Sequence, residues 1–115
     1  MIGQHLPPDY ARGDESTVGG YAAVHARPPA FEGPDGASYS ADILVDVTDE
    51  LETPWAAYLF FVRWSAGAPA LEGHVESGYV AHGASEADAR EAAGRVSLRE
   101  AKRVLDGLVR AGQNG

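Results

Sequence analysis

Residues 55–66 read WAAYLFFVRWSA. Apolar side chains stand at odd and even positions alike. In an extended chain Trp55, Ala57, Leu59 and Phe61 point one way, and Ala56, Tyr58, Phe60, Val62 and Trp64 point the other. Aromatic enrichment and short length favour a strand over a helix. A strand that is apolar on both faces belongs in the middle of a sheet, with something covering each side.

The flanking segments supply its neighbours. Upstream, residues 38–48 read SYSADILVDVT and alternate strictly. Tyr39, Ala41, Ile43, Val45 and Val47 share one face, and Ser40, Asp42, Leu44, Asp46 and Thr48 share the other. That is a strand with one buried and one wet face, and Leu44 is the apolar exception on the wet side. DELETP at 49–54 is a charged turn closed by Pro54. Downstream, GAPALE at 67–72 is a turn and GHVESGYVAH at 73–82 a fourth strand. Its period of two puts Val75, Tyr79 and Ala81 on one face and His74, Glu76, Val80 and His82 on the other.

Further upstream, TVGGYAAVHAR at 17–27 also alternates, with Val18, Ala22, Val24 and Ala26 against Thr17, Tyr21, His25 and Arg27. It reads as the first strand, ended by Pro28 and Pro29. Residues 28–37, PPAFEGPDGA, read as a loop that Phe31 docks onto the core. Residues 1–16 show no periodicity and read as a flexible arm ahead of a single domain over 17–112.

Ser85 followed by Asp88 starts a helix in the manner of a capping box. Leu98, Ala101, Val104, Leu105, Leu108 and Val109 fall on one stripe, with Arg95, Arg99, Lys102, Arg103, Asp106 and Arg110 on the other side. Gly112 is a natural stop. Ser97 to Glu100 is itself a capping box, and Gly94 stands just before it. The segment is therefore two helices, roughly 85–94 and 98–111, or one kinked helix. The expected fold is α+β: an antiparallel four-stranded meander followed by a C-terminal helix or broken helix pair packed on one face.

Such a sheet is roughly 15 Å wide at ~4.8 Å per strand, and one helix is roughly 10 Å across. The helical segment can cover one face only. Leu44, Tyr58, Phe60, Val62 and Trp64 then form an apolar patch on the second face, larger than a monomer usually exposes. The arm, a second copy of the chain or another partner must cover it. Self-association is the favoured expectation, because homodimers are the commonest soluble oligomers.

Composition narrows the function classes. The chain has 115 residues, no cysteine and a formal charge of −8. That length is one domain, able to bury roughly two-thirds of its unfolded surface. Disulfides, thiolate chemistry and zinc ribbons are excluded. Residues 1–84 hold three arginines against twelve acids, a balance that repels phosphate backbones, so nucleic acid is an unfavoured partner. The first residues lack the basic and apolar regions of a secretory leader, and the longest apolar run is too short for a membrane helix. A cytoplasmic protein without membrane attachment is the expectation.

Chemistry-bearing signals are few. His74 and Glu76 stand two apart, roughly 7 Å along one strand face, and are weak candidates for a metal or proton-transfer pair. His82 is on the same face but roughly 27 Å further along, and His25 joins only if strand order is rearranged. Asp42 and Asp46 lack a glycine-rich ligand loop and read as a solvated face. Arg12-Gly13-Asp14 matches a cell-adhesion tripeptide too short to carry weight. No phosphate-cradling glycine loop or nucleophile elbow is present, and no cofactor is implied. The sequence therefore points first to an interaction or assembly module, homodimeric through the aromatic sheet face. A small enzyme or metal-binding domain on His74 and Glu76 is the alternative. A single-stranded nucleic-acid binder comes third, suggested by sheet aromatics and opposed by charge.

Overall fold

The computed structural model of the chain describes residues 7–64 and 71–114. Its elements are α1 (Val18–His25), β1 (Ala30–Glu32), β2 (Ser38–Val47), β3 (Trp55–Trp64), β4 (Leu71–Gly83), α2 (Glu86–Gly94) and α3 (Leu98–Asn114). The strands form one antiparallel sheet in the order β1-β2-β3-β4, so the meander and its helical C-terminus are as expected. The turn read at 67–72 falls largely outside the described residues, as do residues 1–6 of the N-terminal arm.

The first strand is the main correction. Residues 18–25 are helical, because Thr17 caps them with its hydroxyl, accepting from the Gly20 amide at 3.0 Å. Ala26 then ends the helix in the left-handed region, at φ 55°. The fourth strand of the sheet is β1, inside the segment read as a loop. Phe31 does dock as expected, its ring 6.4 Å from Phe61 at a steep angle. Gly36, at φ 82°, closes the β1–β2 turn in a conformation that suits glycine.

The C-terminal segment resolves to two helices. Ser85 accepts from the Asp88 amide at 3.1 Å and Ser97 from the Glu100 amide at 3.0 Å, so both caps form. The helices pack on one face of the sheet. Tyr39, Ala41, Leu59 and Phe61 from the strands meet Ala101, Leu105 and Val109 of α3 in the main core, with Val18 of α1. Leu98, Val104 and Leu108 border it, so the predicted stripe is the buried one. A second cluster joins Ala57 to Ala89 and Ala93 of α2. The small side chains let α2 lie close to the sheet.

Residues 9–16 also lie on the helix side. The Asp9 amide donates to the Val24 carbonyl at 2.9 Å, and the Leu98 amide donates to the Ser16 carbonyl at 2.8 Å. A turn of 3-10 helix covers Tyr10–Arg12.

β4 has thirteen residues and opposes the ten of β3. The surplus is absorbed at three register shifts, between Arg63 and Trp64, between Tyr58 and Phe60, and between Ala57 and Tyr58. Each is a local bulge. At the middle one the Ser77 hydroxyl takes the place of a ladder carbonyl, accepting from the Leu59 amide at 2.9 Å.

Candidate functional site

Even-numbered residues of β2 and β3 point away from the helices. The register arranges them in cross-strand rows. Leu44 lies beside Tyr58, Asp42 beside Phe60, Ser40 beside Val62 and Ser38 beside Trp64. On the other flank β4 contributes Tyr79 beside Tyr58, Glu76 beside Phe60 and His74 beside Val62. The five residues singled out from sequence, Leu44, Tyr58, Phe60, Val62 and Trp64, thus share one surface opposite every described helix. Four are half-buried by their neighbours, and Trp64 is 36 % exposed.

Ring contacts and hydrogen bonds fix the side chains of this surface. His74 stacks on Phe60 with centroids 4.6 Å apart. Tyr79 lies 6.2 Å from Tyr58 and 5.9 Å from His82. Trp64 donates through Nε1 to Ser40 Oγ at 3.0 Å, and Tyr79 donates its hydroxyl to Asp46 Oδ2 at 2.9 Å. The sequence put Tyr79 on the opposite face. The two bulges around residues 77–80 break the alternation, so Tyr79 joins His74 and Glu76, while Ala81 packs toward α2.

The charge of the surface is one-sided. Glu32, Asp42, Asp46 and Glu76 stand on it, since Glu32 pairs with Ser38. Among the described residues of this face there is no arginine or lysine. Asp46 and Glu76 line a cavity of about 200 Å³ with Tyr58, Tyr79, Ser77 and Gly78. Partial burial, then the charges of Asp46 and Glu76, push the Tyr58 hydroxyl pKa above its ordinary value. The hydrogen bond to Asp46 does the same for Tyr79. Both phenols stay neutral, and both carboxylates face a cavity wall made of aromatic rings.

His74 and Glu76 approach to 3.8 Å and are each about half exposed, at 52 %. Among the described residues no group of three His, Asp, Glu or Cys side chains is placed to hold a metal. His25 is on α1, on the helix side, where its Nε2 lies 2.8 Å from Glu15 and its ring 4.3 Å from Tyr21. His82 contacts Tyr79 and not the His74–Glu76 pair.

A larger crevice, about 630 Å³, lies between α1 and α2 and is bordered by Arg12, Arg90 and Arg95. Each arginine is already paired, with Asp9 at 3.3 Å, Glu86 at 3.0 Å and Glu91 at 3.2 Å. Asp14 also lines it, so the crevice presents no net attraction for an anion.

Sequence reasoning missed one partly buried polar cluster. Asp35 in the β1–β2 turn accepts from the Tyr39 hydroxyl at 2.8 Å, from Arg63 Nε at 3.2 Å and from the Ala37 amide at 3.1 Å. Its role is to tie the turn to β3. The chain matches no family model, no curated protein and no solved structure. No helix among the described residues is long and apolar enough to cross a membrane.

Proposed function

We propose that the chain is a non-enzymatic interaction module that docks a protein partner on the open face of its sheet. The observation that carries this reading is the column Tyr58, Phe60, Val62 and Trp64, with Leu44 beside it, on the side away from all described helices. Tyrosine and tryptophan anchors surrounded by polar groups are the usual make-up of an energetic centre in an interface. The column is also supported from within. Trp64 is held by Ser40, Tyr79 by Asp46 and Phe60 by His74, so little side-chain freedom is lost on docking.

Pairing of two copies through this face remains the second reading, favoured by the continuity of the apolar column over the length of β3. The four acids count against a nucleic-acid strand. The half-exposed His74 and Glu76 give a catalytic or metal-binding reading no third partner among the described residues.

The test is peptide selection by phage display on the wild type and on Trp64→Glu, with solution mass by light scattering for both. Trp64 stands at the end of β3 and is 36 % exposed, so the variant is expected to keep its circular dichroism spectrum, which is recorded first. Peptides enriched on the wild type and lost on the variant support the reading, as does a wild-type dimer that the variant dissolves. A monomer that enriches no peptide overturns it.

A further inference from the structure

We infer that the occupant of the open face is a basic protein segment, one of whose arginine or lysine side chains enters the cavity lined by Tyr58 and Tyr79 to meet Asp46 and Glu76. This rests on the reading that the face docks a protein. Three observations carry it. First, the face holds Glu32, Asp42, Asp46 and Glu76 with no arginine or lysine among its described residues; His74 at 3.8 Å from Glu76 and the Tyr79 hydroxyl on Asp46 are their neighbours, so the face is complementary to a basic partner. Second, the cavity combines two carboxylates with two ring walls, which is the chemistry that holds a guanidinium or ammonium group. Its volume of about 200 Å³ is below the ~300 Å³ at which small-molecule sites begin, and suits a single side chain. Third, ten residues at ~3.3 Å and the three long strands β2 to β4 at ~4.8 Å give a face on the order of 500 Å², to which the three-residue β1 adds little. A stable interface uses about 800 Å² per partner. An extended segment lying along β3 matches that footprint. Two copies stacked face to face fall short of it and set eight carboxylates against one another.

The experiment titrates the full chain with two fluorescent peptides of the length of β3. One alternates valine with arginine, and the other alternates valine with citrulline, which keeps the shape and removes the charge. The arginine peptide is expected to bind at least about tenfold more tightly, as a charge-assisted hydrogen-bonded pair requires, and to weaken as salt is added. Asp46→Asn/Glu76→Gln is expected to reduce its affinity to that of the citrulline peptide. Glu50→Gln/Glu52→Gln removes the same charge from the exposed turn after β2 and should leave binding intact.

Equal loss in that second variant overturns the inference, because attraction would then be to net charge alone. Equal binding of both peptides also overturns it, while the docking reading stands on apolar contact. If neither peptide binds and the wild type is a dimer dissolved by Trp64→Glu, the occupant is a second copy. The inference then fails and the docking reading survives. If neither binds and the chain is a monomer that selects no peptide, both fall.

Discussion

The imidazole of His74 lies flat on the ring of Phe60, with centroids 4.6 Å apart and planes 20° from parallel. The two belong to adjacent strands and sit in neighbouring cross-strand rows, Phe60 opposite Glu76 and His74 opposite Val62. The stack covers one side of Phe60 and locks β4 to β3 just before the central bulge. His74→Ala uncovers the ring and should cost about 0.5–1.5 kcal/mol, the value of an aromatic pair. His74→Phe should restore most of it. Urea unfolding of the three proteins checks this; equal midpoints for wild type and His74→Ala would show that the stack holds nothing.

Asp35 gives the fold a defined response to acid. Burial alone would raise its pKa, but the Tyr39 hydroxyl, the Ala37 amide and the Arg63 guanidinium outweigh burial and hold it below its ordinary value. A carboxyl whose folded pKa lies below its unfolded one stabilises fully above about pH 4, and that stability is lost as pH falls through the folded value. Asp35→Asn should therefore be less stable than the wild type at pH 7 by about 1–3 kcal/mol. The gap should narrow progressively below about pH 4. Thermal melts of both proteins from neutral to acid pH test it, and a gap that stays constant with pH would refute the assignment.

Two glycines in helices should respond with opposite sign to the same substitution. A Cβ on Gly19 of α1 would come 2.9 Å from the Gly94 Cα of α2, backbone against backbone. Gly19→Ala forces the helices apart and should cost about 1–3 kcal/mol. Gly107 lies inside α3 with nothing within 4 Å of the added methyl. Gly107→Ala should gain about 1 kcal/mol from helix propensity alone. Denaturant titration of the pair decides between them, and a gain in both would mean that α1 is free to shift.

Much of the architecture was legible because burial follows period. The odd positions of 38–47 and 55–64 are the buried ones, and the stripe from Leu98 to Val109 meets them. The open face was legible for the same reason, since Tyr58, Phe60, Val62 and Trp64 lie opposite every described helix. The errors cluster where period fails. Val18 and Val24 are the two buried residues of α1 and stand six apart, an even spacing that a strand shares. Gly19 and Gly20 weaken the helical signal, and α1 owes its stability to a cap and to contact with α2. Its one local signal is the Thr17 cap, which the alternation of Val18, Ala22, Val24 and Ala26 masks. β1 is three residues long, and its pairing with β2 is set by the turn between them. Tyr79 changed face because bulges carry no alternation signal. The Pro34-Asp35-Gly36 turn was visible, but its partner Arg63 is 28 residues away and no local pattern links them.

The thirteen residues that β4 spends against the ten of β3 also bear on what happens between molecules. β4 ends the sheet, and a long regular outer strand invites another chain to continue the ladder. Here three bulges interrupt it, so an incoming strand meets no run of evenly spaced amides and carbonyls to copy. Bulges of this kind disfavour fibre-like growth along that border. On the proposed docking reading, recognition falls to the side chains on the sheet's flat surface.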